Sequence, residues 1–407
     1  MSHDTTAAPS QVEHGSAPEV LRVFAKLGVT SFGGPIAHLG YFRDELVQRR
    51  RWLDDNEYGD LVALGQFLPG PASSQVGFGL GLLRAGAVGA ITAFLAFTLP
   101  SAALMVAFAY GGPLFDGAAG GGILTGLKVA AVAIVAQAVM GMARTLTPDR
   151  TRASIAVVAA ASALLVAGSI GQVGAIVIGA VAGMIFCRAA ATPVTDMIRF
   201  PVARTAGVIC LTLFAALLIG LPILVAVTHS GTLELFGAFY RAGALVFGGG
   251  HVVLPLLQAS VIETGWVTPD QFLAGYGAAQ AMPGPLFSFA AYLGTLATVG
   301  PGGVAGAAIA LVGIFLPGFL LLTGVLPFWN TFRTRPWTQA LMRGANAAVV
   351  GILAAALYSP VFTTAITGPG PFVLALICFV LLTSWRVPAW AVVIIGAAGG
   401  VVISLAS

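Results

Sequence analysis

The sequence predicts an all-α polytopic membrane protein made of two inverted-topology repeats. Its leading helices are broken by Gly and Pro and read as re-entrant, giving about nine to thirteen membrane segments. Three observations lead there: apolar runs of membrane length, a self-match at a shift of about 215 residues, and Arg confined to alternate loops.

Composition sets the solvent. The 407 residues are 58% hydrophobic and 8% charged, whereas a soluble domain carries about 25% charged residues. Apolar runs recur at 85–110, 123–142, 153–168, 173–186, 207–227, 304–326, 372–382 and 389–404. Most reach or approach the roughly 20 residues that span a bilayer as a helix. They lack the period-two alternation of a membrane barrel, so helices, which satisfy their own backbone, are expected. The first 18 residues are polar, lack a signal-peptide pattern, and read as a disordered tail (1–18). Cys187, Cys210 and Cys378 lie in separate apolar runs without metal-ligand spacing and read as small buried hydrophobes.

The repeat is visible residue by residue. Phe24-Ala-Lys-Leu-Gly28 matches Phe239-Tyr-Arg-Ala-Gly243, and Phe32-Gly-Gly-Pro35 matches Phe247-Gly-Gly-Gly250. Trp52 matches Trp266, Gln66-Phe-Leu-Pro-Gly-Pro71 matches Gln280-Ala-Met-Pro-Gly-Pro285, and Gly86, Gly89 and Pro100 match Gly300, Gly303 and Pro317. Gly126-Leu-Lys128 aligns with Gly344-Ala-Asn346. The expected organisation is a first repeat at 19–190, a linker with one extra membrane helix at 191–230, and a second repeat at 231–407. An odd helix between repeats turns the second upside down. Asp54-x-x-Glu57 and Thr268-x-x-Gln271 both read as capping boxes before the Pro-Gly-Pro segments.

Charge agrees with inversion. If the broken segments are re-entrant, Arg43, Arg49–Arg51, Arg84, Arg144, Arg150, Arg152, Arg188, Arg199, Arg204, Arg333, Arg335, Arg343 and Arg386 fall on one side. That distribution satisfies the positive-inside rule. Nine spans plus four hairpins fit this better than thirteen spans, though segment lengths allow both.

The breaks are where chemistry is expected. They are Ser31-Phe-Gly-Gly-Pro35, Pro69-Gly-Pro71, Phe247-Gly-Gly-Gly-His251 and Pro283-Gly-Pro285. Broken helices expose unpaired N–H groups and positive dipole ends, which suit an oxyanion. The backbone positions proposed to bind are Gly33, Gly34, Pro69, Gly70, Pro71, Gly248, Gly249, Pro283, Gly284 and Pro285. Lys26, Arg241 and Lys128 are read as the cations of the site, because basic residues within spans should face a cavity. All 15 acidic residues fall in the tail, loops or segment ends, so a metal cation is not the expected cargo. Ser31, Gln66, Gln280 and Asn346 are the expected polar contacts, with Thr30, Ser73, Ser74, Gln75 and Ser288 nearby. His38 and His251 follow the breaks and are candidates for a coupling proton. No phosphate-binding loop, zinc motif or nucleophile elbow is present, so no enzyme activity, cofactor or nucleic-acid partner is expected.

At these motifs the chain resembles the chromate ion transporter (CHR) family. The resemblance runs from about Val20 to Tyr358, and the two-domain form is similar to that family's long-chain members. It implies secondary active export of chromate, a tetrahedral dianion, across the bacterial cytoplasmic membrane. A proton gradient as driving force, sulfate as a competing analogue and chromate resistance as the outcome are likewise what the resemblance implies. A transporter of sulfate or another oxyanion, or an anion channel, is the alternative. Expected partners are the dianion, the lipid bilayer and, in place of a monomer, a second copy of the chain. Gly250 stands where the first repeat has Pro35, so the two half-sites are not expected to bind equally.

Overall fold

The first helix shows why the chain enters the membrane where it does. The structure is a computed structural model describing residues 15–112, 117–166, 168–188, 202–247, 250–332 and 335–406. Helix α1 (Ala17–Thr30) buries Val20, Val23, Phe24 and Leu27, one stripe at helical spacing. Ser16 caps it by accepting from Glu19 N, and Pro18 occupies the first turn. Residues 15–18 are therefore helix and cap, which corrects the boundary drawn for the tail; residues 1–14 lie outside the described residues.

The chain then turns at Phe32–Gly33 into α2 (Gly34–Phe42), which runs on as a π-helical stretch, Arg43–Arg49. Helix α3 (Asp55–Phe67) begins on the predicted Asp54/Glu57 capping box. Helix α4 (Ala72–Tyr110) is broken at Ala85 and Gly86, where Gly86 takes φ +62°. Its two arms fold against each other so closely that Gly81 and Gly89 touch backbone to backbone. Helices α5 (Ala118–Leu146), α6 (Arg150–Leu165) and α7 (Gly168–Phe186) complete the first half. Helix α8 (Arg204–Thr228) is the extra one.

The second half repeats the plan. Helix α9 (Gly231–Ala244) leads through a 3-10 turn at Gly250–Val252 into α10 (Val253–Val261). Helix α11 (Pro269–Ala281) starts on the predicted Thr268/Gln271 capping box. A 3-10 turn, Leu286–Ser288, opens α12 (Phe289–Leu296), and α13 (Gly303–Val325) follows. The short α14 (Trp329–Phe332) precedes α15 (Pro336–Ala356); the short α16 (Thr363–Ala365) precedes α17 (Pro369–Thr383) and α18 (Ala389–Ala406).

The repeats are inverted. Ala90 on α4 clusters with Leu322 and Leu326 on α13, and Phe94, one turn on, packs against Phe315 and Phe319. Repeat-mate helices therefore run antiparallel. Helix ends sort by charge accordingly. Arg84 meets Glu19 at the start of α1, and Arg343 at the start of α15 donates to Cys187 O at the end of α7. On the opposite face Gly231 abuts Gly300 and Ser404 donates to Ala118 O. The described ends on that face carry no Lys or Arg.

The halves also interleave. Helix α5 packs against α17 and α18 of the second half, and its mate α15 packs against α6 and α7 of the first. Glycine permits both crossings. Gly126 lies on Gly396 O, and Gly344 lies on Gly179 O, so any side chain there would strike backbone. Among the described residues six helices are long and apolar enough to cross a membrane, namely α4, α5, α8, α13, α15 and α18 with the short segments that extend them. Helices α6, α7 and α17 are shorter apolar members of the same bundle. Helix α8 stays at the margin with Ile209, Ile219 and Val227 exposed, as expected for a lipid-facing helix.

Candidate functional site

The centre is built from the four breaks. At about 1.5 Å rise per residue, α1, α3, α9 and α11 each reach roughly 20 Å inward from their own face, so tips arriving from opposite sides meet. Gly284 N donates to Ser31 O at 2.9 Å, and Gly70 N donates to Val246 O at 2.7 Å. Gly284 and Gly70 are repeat mates, and so are Ser31 and Val246. Each Pro-Gly-Pro tip is thus latched onto the first break of the other half. A third contact joins the mates Pro35 and Gly250, where a Cβ on Gly250 would sit 2.8 Å from Pro35 Cγ.

Glycine is required at the latches by conformation and by space. Gly70 and Gly284 have φ of +128° and +95°, a region that costs other residues roughly 1–2 kcal/mol. A Cβ on Gly284 would lie 2.8 Å from Ser101 Oγ, and one on Gly70 would lie 3.0 Å from Gly318 Cα. Ser101 and Gly318 each follow the repeat-matched prolines Pro100 and Pro317. Gln75 secures the first latch by donating from Nε2 to Pro69 O and Gly318 O, while Pro71 Cδ touches Gly318. Gly33 and Gly34, with φ of +99° and +82°, turn the chain into α2, whose start has no side-chain cap. Neither does the start of α4. These are helix N-termini held at the centre.

Near the latches in sequence and packing are buried polar atoms without a hydrogen-bond partner, Ser31 Oγ, Ser74 Oγ, Thr98 Oγ1 and Gln280 Nε2; Asn346 Oδ1, on α15, is another. A buried polar group left unpaired costs about 1–3 kcal/mol, so these atoms are suited to meeting a bound solute. His38 is buried, its Nδ1 3.4 Å from Ser73 Oγ and its Nε2 unpartnered. His251 Nδ1 lies 2.7 Å from the Tyr276 hydroxyl. Gly248 and Gly249 lie outside the described residues. Pro283 and Pro285 frame the Gly284 turn, and Pro285 precedes the 3-10 turn that opens α12.

The cations do not converge as expected. Lys26 bonds Glu45 at 3.0 Å, and Arg49 and Arg50 share that carboxylate. A helical side chain points toward its own N-terminus, which carries Lys26 away from Ser31 and toward the basic face. Burial pushes the Glu45 carboxyl up, but hydrogen bonds from Lys26 and Arg50 outweigh it and hold it below the usual glutamate range. Glu45 is itself buried, a carboxylate that the sequence placed in an ordinary loop. Lys128 bonds Asp270 at 2.6 Å beside a cavity of about 330 Å³ that Tyr292 and Thr125 also line. Arg241 is exposed on the last turn of α9.

The paired glutamines also differ. Gln280 is buried at the centre, whereas Gln66 is exposed on α3. Helix α11 is enclosed by α5, α12 and α18, while α3 packs mainly on α4 and the π-helical stretch, with Phe67 at its end against Trp329. Sequence reasoning missed Ser101 and Thr98. Their signal was present, since both flank Pro100, whose mate Pro317 is part of the repeat. Asp270 and Glu45 carried no local signal as ion-pair partners.

Comparison with known proteins assigns this arrangement. The family model described as chromate transporter matches residues 18–185 and 233–401, one copy per half. The chain is 30% identical over 353 residues to a "Chromate transport protein" of Pseudomonas aeruginosa, covering 86% of this chain and 82% of the relative. It is 29% identical over 408 residues to a "Probable chromate transport protein" of Synechococcus elongatus, covering 95% of each. A "Chromate transport protein" of Cupriavidus metallidurans is 28% identical over 367 residues, covering 87% of this chain and 85% of the relative. No solved structure matches the chain at a significant level. With both halves matched and the latched breaks falling inside each match, the chain belongs to the chromate transporter family.

Proposed function

We propose that the chain exports chromate from the bacterial cytoplasm as a secondary transporter driven by the proton gradient. The observation that carries this reading is the pair of latches, Gly284 to Ser31 and Gly70 to Val246, amid unpartnered buried polar atoms. The dianion sits between the tips, taking hydrogen bonds from Ser31, Gln280 and the N-terminal amides of α2 and α4. Opening one latch at a time exposes the centre to one face and then the other. His38, with a ring nitrogen unpartnered, and His251, beside Tyr276, are the proton carriers proposed. The basic face is the cytoplasmic one. Lys26, drawn to Glu45, acts at the mouth of the path on the basic face rather than at its middle. Lys128 meets the anion at the far mouth, where it exchanges Asp270 for the oxyanion.

Chromate and sulfate share shape and charge, so hydrogen bonds alone separate them weakly. The test is chromate uptake into everted vesicles containing the purified protein, with an imposed proton gradient and sulfate as competitor. Gradient-dependent uptake is expected. Sulfate flux without chromate uptake would overturn the substrate assignment, and chromate flux indifferent to the gradient would overturn the coupling and favour a channel.

A further inference from the structure

A second anion site lies away from the centre. At the basic face, the start of α6, the end of α7 and the start of α15 enclose a cavity of about 500 Å³, lined by Asp149, Arg150, Arg152, Cys187, Arg188 and Arg343. Among the described residues Asp149 is the one acidic residue lining it, and it is already engaged: it caps α6 and bonds Arg152 Nε at 2.6 Å. Arg343 is held by Cys187 O at 2.9 Å and Gln339 Oε1 at 3.1 Å. Arg188 is held by Met184 O through Nε at 2.7 Å, leaving its terminal nitrogens to other partners. Arg150, Arg188 and Arg343 thus leave three positive charges around one cavity, with part of the Arg188 and Arg343 guanidinium groups already fixed.

The repeat supplies an internal control. The corresponding corner of the other half, on the opposite face, joins the start of α17, the end of α18 and the start of α5. There Thr125 stands opposite Arg343, and Gly368 and Gly370 stand opposite Arg150 and Arg152. The packing of this corner therefore does not require arginine. The charges serve something present at one face of the membrane.

The surroundings identify that partner. Phe186 and Ile185, 68% and 58% exposed, precede the cavity on the lipid-facing side of α7, and Trp337 is 46% exposed at the start of α15. An aromatic at a helix end marks the headgroup level. A basic pocket between helices with apolar surface beneath it suits a phosphodiester headgroup whose acyl chains lie along α7. We propose that this cavity binds the headgroup of an anionic phospholipid of the cytoplasmic leaflet.

The test uses the full-length protein, delipidated in neutral detergent. Binding of phosphatidylglycerol and of phosphatidylcholine with identical chains is measured by native mass spectrometry. Wild type should prefer the anionic lipid, and Arg150→Gln/Arg188→Gln should lower that preference roughly 30-fold. Arg150 and Arg188 are exposed, so this variant should keep its fold; Arg188→Glu, a charge reversal, should abolish the preference by itself. An unchanged preference in both variants would overturn the proposal. So would competition by inorganic phosphate or sulfate as strong as that by phosphatidylglycerol, which would make the cavity a free-oxyanion site.

Discussion

Gly284 and Ser31, 253 positions apart in sequence, are joined by a 2.9 Å backbone hydrogen bond, and their repeat mates Gly70 and Val246 are joined by one of 2.7 Å. The two bonds are related by the pseudo-symmetry of the molecule. They tie together four helix breaks that enter from opposite faces. The central contact is therefore made of backbone, and the tips depend on glycine to bring that backbone close.

Gly284→Ala and Gly70→Ala should each destabilise the protein by about 1–2 kcal/mol from conformation alone, with further loss from the Ser101 and Gly318 contacts. Chromate flux should fall to background while membrane insertion persists. Thermal unfolding and vesicle uptake check this; a fully active Gly284→Ala would remove the latch from the mechanism.

Lys128 and Asp270 separate a structural ion pair from a transport one. Asp270 is 68% exposed at its side chain, so the pair contributes no more than about 1 kcal/mol to stability. Lys128→Met should abolish chromate flux with little change in unfolding temperature. Asp270→Asn should leave Lys128 available to the anion and preserve flux. Equal loss in both variants would mark the pair as structural.

Inversion predicts labelling from opposite sides. Thr264 and Gln48 are both exposed, whereas Ser260 is buried and donates to Leu256 O, which makes it a poor reporter. With the native cysteines replaced, Thr264→Cys should react with an impermeant maleimide in intact cells. Gln48→Cys should react only after permeabilisation.

Glu45 predicts an acid dependence. Its folded pKa lies below the ordinary 4.5, so its contribution is fully present above that value and is lost as pH falls through the lowered folded one. Glu45→Gln should cost about 1–2 kcal/mol at neutral pH, the scale of hydrogen bonds to a charged group discounted for exposed partners. It should also flatten the loss of stability at acid pH expected of wild type. Denaturant unfolding at several pH values checks both.

Most of the architecture was legible in order along the chain. Apolar length marks the helices, Asp54/Glu57 and Thr268/Gln271 mark two helix starts, and Gly33, Gly70 and Gly284 mark the breaks, because each is a local property of a few residues. The repeat alignment slipped in one place. Gly89 packs on Gly81 and Gly306 packs on Gly294, so Gly306, not Gly303, is the structural mate of Gly89. The turn at 297–302 is longer than the one at Ala85–Gly86, and identity matching of glycines does not register the extra residues.

By itself, then, the sequence determined the solvent, the helices, the duplication, the gathering of Arg at one face and the positions where helices break. Each follows from hydropathy, spacing or stereochemistry within a short stretch. The tertiary structure alone decided which breaks latch together, that α5 and α15 are exchanged between the halves, and that Gln280 is buried while Gln66 is not. It also decided that Lys26 and Lys128 answer to Glu45 and Asp270, 19 and 142 positions away. A charged side chain takes whichever partner the packing brings within reach. Packing depends on contacts between distant segments that no single stretch encodes.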